Sequence, residues 1–131
     1  MVWLGRIPNR VLVLRTQLMV ARTGGLAALR AWAVETMAKP RDPLNADSSL
    51  WEVPREYWSE QVVRLHPRRV WVAPVFNGGV KGVCLQYPWL PHEGPMEIRI
   101  GPPGAVPIEH EDPPAAWLRC ADGLYNWFQC N

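Results

Sequence analysis

The chain has 131 residues, 48% of them hydrophobic and 20% charged, with a formal net charge of +2. That length fits one domain, and the balance of apolar to charged residues belongs to a globular chain rather than a disordered one. The charge is spread as +5 over residues 1–34, +1 over 35–89 and −4 over 90–131, which argues against a nucleic-acid-coated protein, whose surface is usually basic.

The first 34 residues, MVWLGRIPNRVLVLRTQLMVARTGGLAALRAWAV, hold five arginines (Arg6, Arg10, Arg15, Arg22 and Arg30) and no acid before Glu35. After Pro8-Asn9, the positions Val11, Leu14, Leu18 and Ala21 recur at helical spacing, flanked by Leu12 and Met19. This pattern predicts an amphipathic helix, interrupted at Gly24-Gly25. Leu26, Leu29, Trp32, Ala33 and Met37 predict a second helix of about 13 residues that stops at Lys39-Pro40, because a residue before proline avoids the helical region. An amphipathic, arginine-bearing, acid-free N-terminus has the composition of a mitochondrial import segment, although serine is not enriched. The alternative is a basic helix pair packed on the domain, and the two readings are compatible. The longest apolar run, residues 11–21, is broken by Arg15, Thr16 and Gln17 and is too short to span a bilayer, which needs about 20 apolar residues. No secretory apolar region leads to a small-residue cleavage site.

Residues 40–54 form a polar, proline-bounded connector in which Leu50, Trp51 and Val53 are placed to dock as an apolar clip. PREYWSEQVVRL (54–65) reads as a short helix with Pro54 in its first turn. Residues 69–76 and 80–86 read as an antiparallel hairpin around Asn77-Gly78, since Asn-Gly between β-branched runs favours turns that match strand twist. Pro74 lacks a donor and belongs at an edge or a bulge. MEIRI (96–100) alternates as a half-buried third strand, and GPPGAVP (101–107) reads as an extended loop. In PPAAWLRCADGLYNWF (113–128), Pro113-Pro114 and the apolar set Trp117, Leu118, Ala121 and Leu124 predict a short helix that stops near Gly123. The expected fold is thus α+β: N-terminal helices, a small three-stranded antiparallel sheet with an Asn-Gly hairpin, Pro-rich extended loops and a short C-terminal helix. Residues 1–39 form the basic, acid-free helical segment, import-like and docking, and 40–131 the small α+β domain. So small a sheet leaves the N-terminal helix room to project.

No constellation names a reaction. His66, His92 and His110 are far apart, and no paired ligands at metal spacing accompany them. His110-Glu111-Asp112 with Glu109 reads as a solvated acidic loop rather than an acid–base site. Asn77-Gly78-Gly79-Val80-Lys81-Gly82 lacks the Ser/Thr and the following helix of a phosphate loop. Cys84, Cys120 and Cys130 form no CxxC and read as buried free thiols, with a Cys120–Cys130 bridge the alternative. Neither cofactor nor metal is expected.

Two features point to partners instead. Arg64, His66, Arg68 and Arg69, with Trp71 behind them, make one basic cluster with an aromatic inside it, suited to RNA, lipid headgroups, an acidic protein or simply a solvated face. Twelve of the fourteen basic residues are arginine, which suits bidentate contacts but also follows from GC-rich coding. Eight tryptophans in 131 residues are many for one small core, so at least three are expected to be exposed as partner anchors. The partner-binding candidates are Trp3, Arg6, Arg10, Arg15, Trp32, Trp51, Trp58, Arg64, Arg68, Arg69, Trp89 and Trp127.

Together these features lead to the expectation of a non-catalytic accessory subunit. Its setting would be a mitochondrial inner-membrane assembly, a respiratory-chain complex first, where it acts as a structural clamp among protein subunits. It would sit peripherally at the membrane, with its N-terminal helix free to touch the surface. A mitochondrial ribosomal protein contacting rRNA through its arginines is the alternative, and a small enzyme or metal-binding protein the second.

Overall fold

A computed structural model describes residues 9–39, 50–90, 94–108 and 115–129. Helix α1 (Asn9–Thr23) and helix α2 (Leu26–Met37) are joined through Gly24 and Gly25, whose φ values of 144° and 92° lie where side chains are strained. Strand β1 (Trp51–Glu52) and a 3₁₀ turn at Arg55–Tyr57 lead to helix α3 (Glu60–Leu65). Strands β2 (Arg69–Phe76), β3 (Val80–Leu90), β4 (Gly94–Ile100), β5 (Ala115–Ala121) and β6 (Leu124–Gln129) follow. All six strands form one antiparallel sheet in the order β1-β2-β3-β4-β6-β5.

Alternation divides the sheet into two faces. The inner face presents Val70 and Val72 of β2, Val83 and Leu85 of β3, Ile98 and Ile100 of β4, and Leu124 of β6, all buried. Against it pack Val20 of α1, Leu29, Trp32 and Ala33 of α2, and Val62 and Leu65 of α3, so that both N-terminal helices share one core with the sheet. A polar contact lies inside this layer. Asn126 of β6 is fully buried, accepts a hydrogen bond from the Thr16 hydroxyl at 2.9 Å and donates to the Leu12 carbonyl at 3.4 Å.

The broad α+β class stands, but the expected three-stranded sheet and C-terminal helix are corrected. Six strands replace three, and residues 115–129 form the hairpin β5–β6. Asp122-Gly123 is a hairpin turn between the paired Ala121 and Leu124, with Gly123 at φ 72°. Asp-Gly signals such a turn, whereas the sequence reading treated Gly123 as a helix stop. A sheet of this width carries both helices, and α1 lies along β5 and β6 rather than projecting. The helix over 54–65 is shortened to its last six residues, because Ser59 caps it, its hydroxyl accepting from the Val62 amide at 3.2 Å.

The β2–β3 hairpin pairs Arg69 with Gln86 through Phe76 with Val80. Its loop is three residues, Asn77–Gly79, with positive φ at Gly78 and Gly79. Pro74 falls where the register shifts between Ala73 and Phe76. The bulge reorients Phe76, whose ring lies over Gly82 and Gly101; a Cβ on Gly82 would sit 2.3 Å from it. Residues 101–107 then fold across this end of the outer face, with the Asn77 amide donating to Val106 at 2.7 Å and the Tyr125 hydroxyl to Ala105 at 2.9 Å.

Two threonines on neighbouring helices make opposite predictions. Thr16→Val leaves the buried Asn126 oxygen without its donor and should cost about 1–3 kcal/mol. The Thr36 hydroxyl is buried without a hydrogen-bond partner among the described residues, so Thr36→Val should stabilise by about 1 kcal/mol. Urea denaturation of the two variants beside the unaltered chain checks both signs.

Candidate functional site

Helix α1 carries two apolar stripes. Leu12, Thr16 and Val20, four residues apart, are buried on the sheet. The sequence reading picked out a different set, Val11, Leu14, Leu18 and Ala21, as the apolar positions of an amphipathic helix. Those positions are on the outside: Val11 is 48% exposed, Leu14 53% and Leu18 44%. Arg10, Arg15 and Arg22 are exposed on the same helix, which contains no acid. The result is a solvated aliphatic stripe with basic flanks on a helix already fixed to the domain by its other side.

The outer face of the sheet is the second surface. Cross-strand pairing lines up Trp71, Cys84, Arg99, Tyr125 and Arg119 in one row. The neighbouring row runs Arg69, Gln86, Glu97, Trp127 and Trp117. Arg99, 8% exposed, donates from Nε to Glu97 Oε1 at 2.9 Å, and its guanidinium carbon lies 4.2 Å from the centre of the Trp127 ring. Such stacking and pairing suit a partly desolvated guanidinium. Trp117 meets Tyr125 edge-on, at 5.5 Å and 88°. A shallow groove of about 290 Å³, lined in part by Arg69, Trp71, Cys84, Glu97 and Arg99, opens beside them.

The sequence candidates are distributed over both sides. Trp3 and Arg6 lie outside the described residues, and Trp89 is placed only as part of β3. Trp32 is buried, its indole donating to the Tyr57 carbonyl at 2.9 Å. Trp51 is half-buried on β1, 6.2 Å from the Tyr57 ring. Trp58, also half-buried, donates to Val53 at 3.2 Å and lies under Arg55. Among the six indoles whose side chains are described, Trp117 alone is exposed, at 39%.

The basic cluster is divided rather than gathered. Arg64 and His66 belong to α3 and its end, on the helical side, whereas Arg69 and Trp71 line the outer groove. Arg68, exposed, stands between the two. Sequence reasoning missed Trp117, Arg119 and Tyr125 because it read β5 as a helix stopping near Gly123 and assigned no strand after it. It noted Glu97 and Arg99 as the polar side of a strand without joining them to Trp127. Alternation across the Asp-Gly turn would have placed Trp117, Arg119, Tyr125 and Trp127 on one face.

Cys84 and Cys120 are free, buried thiols, and Cys130 lies outside the described residues. Burial pushes the Cys120 thiol up to about 11, against opposing contacts from the Asn126 backbone and the Thr16 side chain. It therefore stays protonated at neutral pH and is a poor nucleophile. Burial also raises the Tyr87 phenol above its ordinary range, partly offset by the nearby Arg15 charge, while the hydroxyl donates to Leu65 at 2.9 Å. Among the described residues, no group of three or more His, Cys, Asp or Glu side chains is arranged to hold a metal ion, and no helix is long and apolar enough to cross a membrane. The acidic loop containing His110 lies outside those residues.

No protein-family model, curated protein or solved structure matches the chain.

The raised Cys120 pKa fixes a sign for alkaline stability. The folded thiol holds its proton above the unfolded value of 9.0, so its stabilisation is complete below pH 9 and is lost as pH rises to about 11. The denaturation midpoint should fall through that window, with Tyr87 adding to the loss at its upper end. Cys120→Ala should make the fall shallower, which guanidinium titrations at stepped pH would measure.

Proposed function

We propose that the chain is a non-catalytic accessory subunit that holds its place in a larger protein assembly through the outer stripe of α1 and the indole-bearing face of the sheet. The observation that carries this reading is the exposure of Val11, Leu14 and Leu18 on a helix whose opposite side is tied to β6. A contiguous apolar patch held on a rigid element, with a charged rim, is the usual form of a partner surface. The indoles contribute less than their number suggests, since most of those described support the fold. Trp117 and the aliphatic stripe are the anchors.

A protein partner is preferred over RNA. Base stacking needs free ring faces, and one face of Trp127 is already occupied by Arg99 while Trp117 is engaged edge-on with Tyr125. The divided basic cluster also gives no continuous track for a phosphate backbone.

The setting we propose is a mitochondrial inner-membrane assembly, with a respiratory-chain complex first among the choices. It rests on the acid-free, arginine-bearing N-terminus. The segment from Asn9 onward would have to be retained after import, because its loss would remove Thr16 from Asn126.

Purification from native membranes under mild conditions tests the reading. The chain should elute in a complex far larger than its own 14.9 kDa and fractionate with mitochondria. Leu14→Asp should weaken that association by about 2 kcal/mol or more, as hot-spot substitutions do, without altering the denaturation midpoint of the isolated chain. A free monomer in native extracts overturns the proposal.

A further inference from the structure

Between α1, the end of α3 and the outer end of strands β3 and β4 lies a second cavity, of about 280 Å³. Its walls are aliphatic and thioether: Met19 from α1, Leu65 from α3, Met96 and Ile98 from β4. Methionine side chains adapt to flexible apolar ligands. Its polar lining consists of two nitrogen-bearing side chains and two hydroxyls. Arg15 and His66 contribute nitrogen donors, and none of the described residues in the lining is acidic.

The remaining hydroxyls are already engaged. Thr16 donates to Asn126, and Tyr87 donates to Leu65. Arg15, by contrast, forms no ion pair or hydrogen bond with any described residue, and its charge acts on the neighbouring Tyr87 phenol. A cavity with an apolar body and an unpaired guanidinium on its lining is complementary to one chemical type: an apolar chain ending in a single anion. Its volume is near the lower limit for small-molecule sites, about 300 Å³, which selects a short ligand.

We propose that this cavity binds a medium-chain monocarboxylate, its carboxylate on Arg15 and its chain among Met19, Leu65, Met96 and Ile98. The site shares Arg15 with the basic flank of the α1 stripe, but its apolar walls belong to neither docking surface.

Calorimetric titration of the full chain with decanoate, and with decanol as the uncharged counterpart, tests the proposal. Decanoate should bind saturably at one equivalent and raise the thermal midpoint. It should bind about tenfold more tightly than decanol, the ratio expected when a charge-assisted hydrogen bond is lost. Arg15→Gln, on an exposed position, should remove that tenfold preference while leaving decanol binding unchanged. Vesicles containing phosphatidylglycerol separate the free acid from a lipid surface as the source of the anion, and decanoate should bind equally well without them. Absence of saturable decanoate binding to the folded chain overturns the proposal. So does a decanoate-to-decanol ratio near one, or binding seen only with vesicles.

Discussion

Asn126 is a carboxamide in the middle of an apolar layer, and the position of α1 follows from satisfying it. A buried amide without partners costs more than its hydrogen bonds contribute when made. Here the Thr16 hydroxyl and the Leu12 carbonyl supply the partners, 110 and 114 residues away in the chain. These two groups lie one helical turn apart, so a single side chain fixes both the axial position and the rotation of α1. Turning the helix by one residue, about 100°, would withdraw both groups at once. The contact thereby decides which stripe faces the sheet and which faces solvent. It also sets the gap between α1 and the outer end of the sheet, where the second cavity lies.

The outer face depends on a different balance. Removing a guanidinium from water is costly unless it is paired and its remaining surface is covered. Glu97 provides the pair for Arg99, two residues along the same strand, and Trp127 provides the cover from the adjacent strand. Beyond this group, Gly82 and Gly101 leave space for the Phe76 ring, and residues 101–107 close over it. One end of the face is therefore a small second core. The other end remains a groove.

How much of this was legible in the sequence depends on whether local signals had competitors. Asn77-Gly78 between valine-rich runs had none, and the β2–β3 hairpin follows from it directly. Asp122-Gly123 carried the same kind of signal, but the spacing of Trp117, Leu118, Ala121 and Leu124 also fitted a helix. The turn was absorbed into that pattern, and two of the six strands went with it. In α1 the more apolar stripe, Val11, Leu14, Leu18 and Ala21, stands out in the sequence, which does not say which side of the helix meets the sheet. Thr16 made the true inner stripe look polar, because its partner, Asn126, lies at the far end of the chain. Hydrophobicity read along one helix carries no trace of a buried polar group on a distant strand. The exposed stripe was consequently visible in the sequence, whereas its orientation relative to the sheet was not.

The sheet edge narrows the ways a partner can attach. Among the described residues β5 pairs only with β6, and a bare edge strand recruits other strands. Here side chains from the helices reach that edge: Gln17 donates to the Cys120 carbonyl at 2.8 Å, and Arg30 donates to the Asp122 carbonyl. These contacts occupy main-chain acceptors that an added strand would need. They belong to the same two helices that Asn126 and the shared core hold in place, so guarding the edge and displaying the α1 stripe are consequences of one arrangement. Recognition by strand addition at this end is disfavoured, whereas recognition by side chains, on α1 and on the outer face, is left open.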